Sequence, residues 1–144
     1  MKYKAGKSGR IFIGRLEDKE DILDAIINIA KKENIKGAIF YLIGGIKQGK
    51  IVVGPETEQM PPVPVWRDIN ESTEMLGIGT IFWQENEPKI HFHGAFGKRD
   101  SVKVGCLRGE SSTFLVLELI IIEIEGVDAK REYDSVSGLT LLKL

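Results

Sequence analysis

The sequence predicts an α+β fold, in which one main N-terminal helix packs on a mostly antiparallel sheet within a single compact domain. Three observations support this prediction. One amphipathic helical pattern occurs early in the chain, and short β-rich runs separated by turn-forming residues fill most of the rest. In addition, 144 residues with 42% hydrophobic content provide enough apolar material for one hydrophobic core.

The first elements are a strand and the helix. Residues 10–16 are rich in β-branched and apolar side chains and predict an opening strand. Asp18 is the predicted N-cap of the helix that follows. Ile22, Ile26 and Ile29 then recur at helical spacing, which indicates one buried stripe, and the helix is expected to end before residue 37.

Strands are expected along most of the remaining chain. An apolar run over residues 38–43 predicts a buried strand, which Gly44 and Gly45 are expected to break before a further strand at 50–53. Turn-like residues at 86–88 and 98–101 separate later runs into hairpins. The remaining predicted strands cover residues 74–83, 89–96, 102–107, 113–125 and 139–142.

The segment 54–70 contains four of the five prolines and has no clear period. A packed connecting loop anchored by Trp66 is the favoured interpretation. A mobile flap, an interaction arm and an ordered excursion over the core are the alternatives that the sequence leaves open.

Composition excludes several classes of protein. The formal net charge of −1 offers no overall attraction to nucleic acid or to an acidic membrane. A single cysteine allows no intrachain disulfide and favours a reducing compartment. The longest apolar run, 114–122, is too short to cross a bilayer, and no secretory signal is evident. We therefore expect a soluble, cytoplasmic protein without a membrane partner.

The only two histidines, His91 and His93, lie two residues apart. On a β-strand such residues project from the same face, where two neutral imidazoles can bind one metal ion. Ile90, Phe92 and Phe96 have the opposite parity and are expected to face the core, so the histidines should face solvent, a ligand or another subunit. Two ordinary histidines on a polar strand face are the alternative interpretation.

Cys106 is the first further candidate ligand. It lies on the strand that is expected to pair with the histidine strand across the turn at 98–101. A thiolate is a strong zinc ligand. The alternative is that Cys106 is simply a small buried side chain, the common fate of a free cysteine.

Glu118 interrupts the apolar strand and is expected to share a face with Val116 and Ile120. A carboxylate on a buried face needs a partner, because burying an unpaired charge is costly. Glu118 is therefore predicted to pair with Arg15 or Arg108, to orient a metal-bound histidine, or to activate a metal-bound water. A purely structural ion pair, or a more exposed position, is the alternative.

Residues 91–100, HFHGAFGKRD, followed by VGCL at 104–107, resemble the central motif of the PPC (plants and prokaryotes conserved) family. In prokaryotic members this motif is approximately HLHASLGDRD, then VGGHL. Weaker matches occur in the same order at 14–17, 43–46, 74–76 and 131–134. The resemblance covers nearly the whole chain, so residues 1–144 are predicted to form a single PPC-like domain.

The resemblance implies a homotrimer with a metal site near a subunit interface. His91 and His93 match two ligand histidines by position, and Cys106 occupies the place of the third. The thiolate favours zinc over oxygen-preferring divalent ions. A second departure, Gly-Ala-Phe at 94–96 where the family has Ala-Ser-Leu, removes a hydroxyl near the site.

We accordingly predict a metal-binding, homotrimeric PPC-like protein that acts as a binding module for an unidentified protein or small molecule. The first alternative is a metal-dependent enzyme that uses a metal-bound water, with Glu118 as the catalytic base and Arg15 or Arg99 holding an anionic group. The second is a DNA-binding protein, a function often attached to the family name. The chain has no AT-hook-like segment, and its net charge gives no electrostatic support for DNA binding.

Overall fold

A computed structural model describes residues 1–144 and contains eight strands and one helix. In chain order these are β1 (Lys7–Glu17), α1 (Ile22–Lys32), β2 (Gly37–Pro55), β3 (Pro64–Ile69), β4 (Thr73–Gln84), β5 (Glu87–Lys98), β6 (Ser101–Glu125), β7 (Lys130–Asp134) and β8 (Leu139–Lys143). Every strand pair is antiparallel. The predicted α+β class fits in outline, although the sheet dominates and the helix has only 11 residues.

Six strands form one sheet in the order β1-β6-β5-β4-β2-β3. Because β6 also pairs with β2, the strands β2, β4, β5 and β6 form a closed ring. Strands β7 and β8 form a separate two-stranded hairpin. The only helix is too short to span a membrane.

Ring closure depends on two long, bent strands. The expected breaks at Gly44-Gly45 and after residue 107 are wrong, because β2 and β6 continue through both points for 19 and 25 residues. Gly44 has a φ of +140°, and a side chain there would overlap the carbonyl of Val116. The β2–β6 register shifts beside Gly45. These glycines therefore bend the strand and bring the two backbones close without ending the pairing.

The proline-rich segment contains a strand that the loop interpretation missed. Strand β3 pairs with β2 at the edge of the sheet, with Trp66 opposite Val52. Trp66 is 48% exposed and so does not anchor the segment in the core. An edge strand tolerates Pro64 at its start, because a proline there removes no hydrogen bond from a neighbouring strand.

The helix begins one turn later than expected. Asp21, and not Asp18, is the N-cap, and its Oδ1 accepts a hydrogen bond from the Asp24 N–H at 2.9 Å. Its other oxygen accepts from the Ser111 N–H at 2.6 Å, which ties the start of the helix to β6. Asp18 instead accepts a hydrogen bond from the Leu115 N–H at 3.0 Å. Both carboxylates thus satisfy backbone donors, but only one of them caps the helix.

The prediction that Glu118 lies on the buried face of β6 is wrong, because the alternate residues of this strand face the core. Leu117, Leu119 and Ile121 are buried, whereas Glu118 is exposed. Apolar side chains occupy both faces of this strand, so alternation alone does not indicate which face is buried. The buried carboxylate on β6 is Glu123, which accepts a hydrogen bond from Arg10 Nε at 2.8 Å.

The core beneath the histidine strand is built on aromatic rings packed over glycines. Phe40 and Phe92 are fully buried and stack with their ring centroids 5.6 Å apart. The ring of Phe92 lies over Gly77, and the ring of Phe40 lies over Gly79. Because these glycines have no side chain, the rings pack directly on the backbone of β4.

We expect Gly77→Ala to destabilise the protein by about 1–3 kcal/mol, because the added methyl group would overlap the Phe92 ring. Gly97→Ala is the matched control, since a Cβ there meets its nearest neighbour at 3.5 Å. Urea denaturation of both variants checks the prediction. Equal free energies of unfolding for the two variants would contradict this account of the core.

Candidate metal centre

Strands β5 and β6 bring His91, His93 and Cys106 together on the outer face of the sheet. His93 and Cys106 are directly opposite each other in the strand pairing. The ligand atoms of the three side chains all lie within 4.8 Å of one another. The structure thus assembles the three residues that the sequence singled out.

Strand alternation aims the two imidazoles outward. Phe92, between them, is 1% exposed and points into the core, whereas both histidines are exposed. The predicted parity of this strand is therefore confirmed. The packing of Phe92 fixes the direction in which His91 and His93 project.

The two imidazoles converge on one point. The Nε2 atoms of His91 and His93 are 3.1 Å apart, and the rings meet edge to face at 83°. Two nitrogens that bind one tetrahedral zinc ion are about 3.3 Å apart, given zinc–nitrogen bonds of about 2.0–2.1 Å. The spacing of the nitrogens therefore fits a shared metal ion.

Cys106 forms the floor of this cluster. It is 5% exposed, while the histidines above it are open to solvent. The thiol makes only weak contacts: it lies 4.0 Å from the Leu107 carbonyl, and its sulfur accepts from the Phe92 backbone. Its sulfur is therefore not engaged by a strong partner within the chain, and a metal bound at the cluster would be accessible from outside.

Partial desolvation and nearby positive charge both act on the His91 imidazole. Desolvation by the surrounding residues lowers its pKa most, and the charges of Arg131, His93 and Arg108 lower it further. A lowered pKa favours the neutral imidazole at pH 7, which is the form that binds metals.

The Cys106 thiol has the opposite shift. Burial raises its pKa, opposed by the charge of Arg108 and a backbone hydrogen bond from Phe92. The thiol is consequently protonated at neutral pH until a metal displaces its proton.

Two arginines beside the cluster were not assigned to it from the sequence. Arg131, on β7, donates a hydrogen bond to Thr80 Oγ1 at 3.0 Å, and Thr80 is directly opposite His91. Arg108 follows Cys106 by two residues and so shares its face of β6. The i, i+2 spacing could have identified Arg108, but no local pattern relates Arg131 to a histidine 40 residues earlier.

The structure does not bring Glu118, Arg15 and Arg99 to the cluster within one chain. Strands β2 and β4 separate Glu118 from the histidine strand, which places it about 14 Å away along the sheet. Arg15 is opposite Glu118 but forms its ion pair with Glu17. Arg99 lies at the tip of the β5–β6 hairpin. Any contact of these side chains with the cluster would require another subunit.

The chain is similar to proteins of known structure along its whole length. A plant- and prokaryote-conserved (PPC) protein of Pyrococcus horikoshii is 28% identical with a TM-score of 0.86, over 100% of this chain and 98% of that chain. A metal-containing protein of Archaeoglobus fulgidus is 23% identical with a TM-score of 0.87, over 100% of both chains. A candidate DNA-binding protein of Ralstonia eutropha JMP134 is 20% identical with a TM-score of 0.76, over 92% of this chain and 90% of that chain.

No curated protein sequence matches this chain significantly. The family model of the Plants and Prokaryotes Conserved domain, abbreviated PCC or PPC, matches residues 3–125. This match includes the His-x-His strand and Cys106 and confirms the resemblance found in the sequence. The chain therefore belongs to the plants and prokaryotes conserved domain family.

Proposed function

We propose that this protein binds one zinc ion per chain through His91, His93 and Cys106 and assembles as a homotrimer. In this proposal it acts as a binding module whose metal site is open to a ligand. The convergence of three donor atoms within 4.8 Å carries the proposal. The similarity to a metal-containing archaeal protein supports it.

The donor set favours zinc among the divalent metals. Two imidazoles and one thiolate form a set that zinc binds well, whereas magnesium and calcium prefer oxygen ligands. With three protein ligands, a tetrahedral ion keeps a fourth position, and the exposure of both histidines directs that position toward solvent.

An apolar band on the outer face supports self-association. Through successive strand pairs, Ile13, Ile120, Tyr41 and Ile78 form one row that ends at His93. A parallel row includes Ile43, which is 51% exposed, and Leu76, which is 63% exposed.

Contiguous exposed apolar side chains on a soluble protein often mark an interaction surface, so we assign the band to contacts between copies of the chain. Because the first row ends at His93, the proposed metal site lies at the edge of the proposed interface.

A metal-dependent enzyme is the second candidate function, favoured by the open face of the cluster. When bound at such a site, zinc supplies Lewis acidity and lowers the pKa of a coordinated water. A base role for Glu118 would require a neighbouring subunit, because that residue lies far from the histidines of its own chain. DNA binding is not our proposal, since a net charge of −1 provides no overall attraction to phosphates.

We expect protein purified without chelators to contain one zinc ion per chain by elemental analysis. His91→Ala, His93→Ala and Cys106→Ser should each lose most of the metal, because each removes one of three ligands. Lys89→Ala is the matched control, since Lys89 is an exposed side chain two residues before His91 on the same strand. Full metal content in His91→Ala, or no metal in the wild type, would overturn the proposed centre.

Zinc binding should release a proton from Cys106 at pH 7. Because burial raises the pKa of this thiol, the protonated form dominates and the metal must displace about one proton. The affinity for zinc should consequently fall about tenfold for each pH unit below neutrality, and more steeply where the histidines also become protonated.

Calorimetry in buffers of different ionisation enthalpy measures this proton release. The Cys106→Ser variant should release about one proton fewer per zinc ion bound. The same proton count for the variant and the wild type would exclude the thiol as a ligand.

Light scattering should report three times the chain mass of 16.1 kDa for the wild type. Ile43→Lys places a charge in the middle of the apolar band and is expected to dissociate the assembly, because a charge is costly to bury in an interface. Val136→Lys is the matched control, since Val136 is 69% exposed in the turn of the β7–β8 hairpin and belongs to neither row of the band. A wild-type protein that is monomeric at micromolar concentration would contradict the trimer.

A further inference from the structure

Arg131 is a buried cation without a carboxylate partner. It is 7% exposed and forms no ion pair with any acidic side chain of the chain. Its one side-chain hydrogen bond goes to the neutral hydroxyl of Thr80. A largely buried charge without a counterion is costly, so an anion bound beside this guanidinium would stabilise it.

The guanidinium lies beside the candidate metal centre. Thr80, which accepts its hydrogen bond, is directly opposite His91 on the neighbouring strand. The guanidinium carbon also lies 6.0 Å from the centre of the Phe82 ring, two residues further along β4. Arg131 is thus held over the outer face of β4, next to the strand that carries both histidines.

A second arginine without an acidic partner lies on β6, two residues beyond Cys106. Arg108 shares the face of Cys106, is exposed, and also forms no ion pair. Burial lowers the pKa of Arg131, and the charge of Arg108 lowers it further, as expected for two nearby cations.

We infer that Arg131 and Arg108 form a phosphate-binding subsite beside His91, so that the ligand of the open metal site is a small molecule carrying a phosphate group. This inference rests on the proposed metal centre. A zinc ion and a thiolate together leave one positive charge, to which the two arginines add two. A phosphate, as a dianion, balances this charge better than a monocarboxylate, and guanidinium groups bind its oxygens in pairs.

The surface next to Arg108 has room for the rest of such a molecule. Arg108 also lines a cleft of about 450 Å³, together with Lys50 and Trp66. The cleft is open to solvent, and Trp66, which is 48% exposed, provides an aromatic side chain beside it. Asp68 and Glu110 also line the cleft, so the remainder of the ligand would meet groups of both charges.

Arg131 lies outside the part of the chain that the family model matches, which ends at residue 125. The β7–β8 hairpin that carries Arg131 packs against β4 of the ring. The proposed subsite is therefore built jointly by the matched segment and the C-terminal hairpin.

The test measures binding of inorganic phosphate to zinc-loaded protein by calorimetry at low ionic strength, with acetate as the comparison anion. We expect one phosphate per chain, bound more tightly than acetate. Arg131→Gln and Arg108→Gln should each weaken phosphate binding by about tenfold or more, because each removes a charge-assisted contact. Arg131→Lys keeps the charge but not the paired donors. Its affinity for phosphate should lie between that of the glutamine variants and that of the wild type.

Lys32→Gln is the control and should bind phosphate as the wild type does, because Lys32 is an exposed cation in the last turn of α1 that belongs to neither the cluster nor the subsite. Elemental analysis of every variant keeps the two proposals separate. Wild-type protein that retains zinc but binds no phosphate, or an Arg108→Gln variant that binds it with unchanged affinity, would overturn the subsite and leave the metal centre intact. Absence of zinc from all proteins would instead overturn the metal centre.

The mass of Arg131→Gln in solution distinguishes a counterion from a neighbouring subunit. If phosphate is the partner of Arg131, this variant should keep the mass of the wild-type assembly. Loss of assembly without a change in phosphate affinity would show that another chain supplies the counterion, and that result would contradict the inference.

Discussion

The pairing of His93 with Cys106 across β5 and β6 is the constraint on which the candidate site depends. A shift of this register by one residue would turn the thiol to the opposite face of the sheet from the imidazoles. The ring of Phe92, buried over Gly77, keeps β5 from rotating, because its removal from the core would expose a large apolar surface. Core packing and ligand geometry therefore depend on the same strand.

Closure of the sheet by two long bent strands gives the site its surroundings. Strand β6 pairs with β5 in its first half and with β1 in its second, while it follows β2 along most of its length. The candidate ligands thus lie on a sheet whose inner face is filled by the core and whose outer face is apolar beside the histidines. An open cluster at the edge of an apolar band suits a site that forms where subunits meet, as we propose.

Much of the fold was accessible from the sequence, but the course of its longest strands was not. The helical stripe, the two hairpins on either side of β5, and the outward direction of His91 and His93 all follow from patterns over a few residues, although the turns are shorter than the predicted 86–88 and 98–101. The continuous strands β2 and β6 were mistaken for pairs of shorter ones, since glycine is compatible with both a bend and a break. Strand β3 was hidden by prolines that an edge strand tolerates.

The sequence by itself determined the chemical identity of the candidate site, because the spacing of two histidines on a strand and their order relative to Cys106 are local properties. Only the tertiary structure decided which other side chains surround it. Arg131 lies at Thr80, opposite His91, because β7 packs on β4, whereas Glu118 is kept away because two strands intervene. These placements depend on pairing between segments that are distant in the sequence. Which face of a strand is buried also depends on the whole sheet, and no local pattern contains that information.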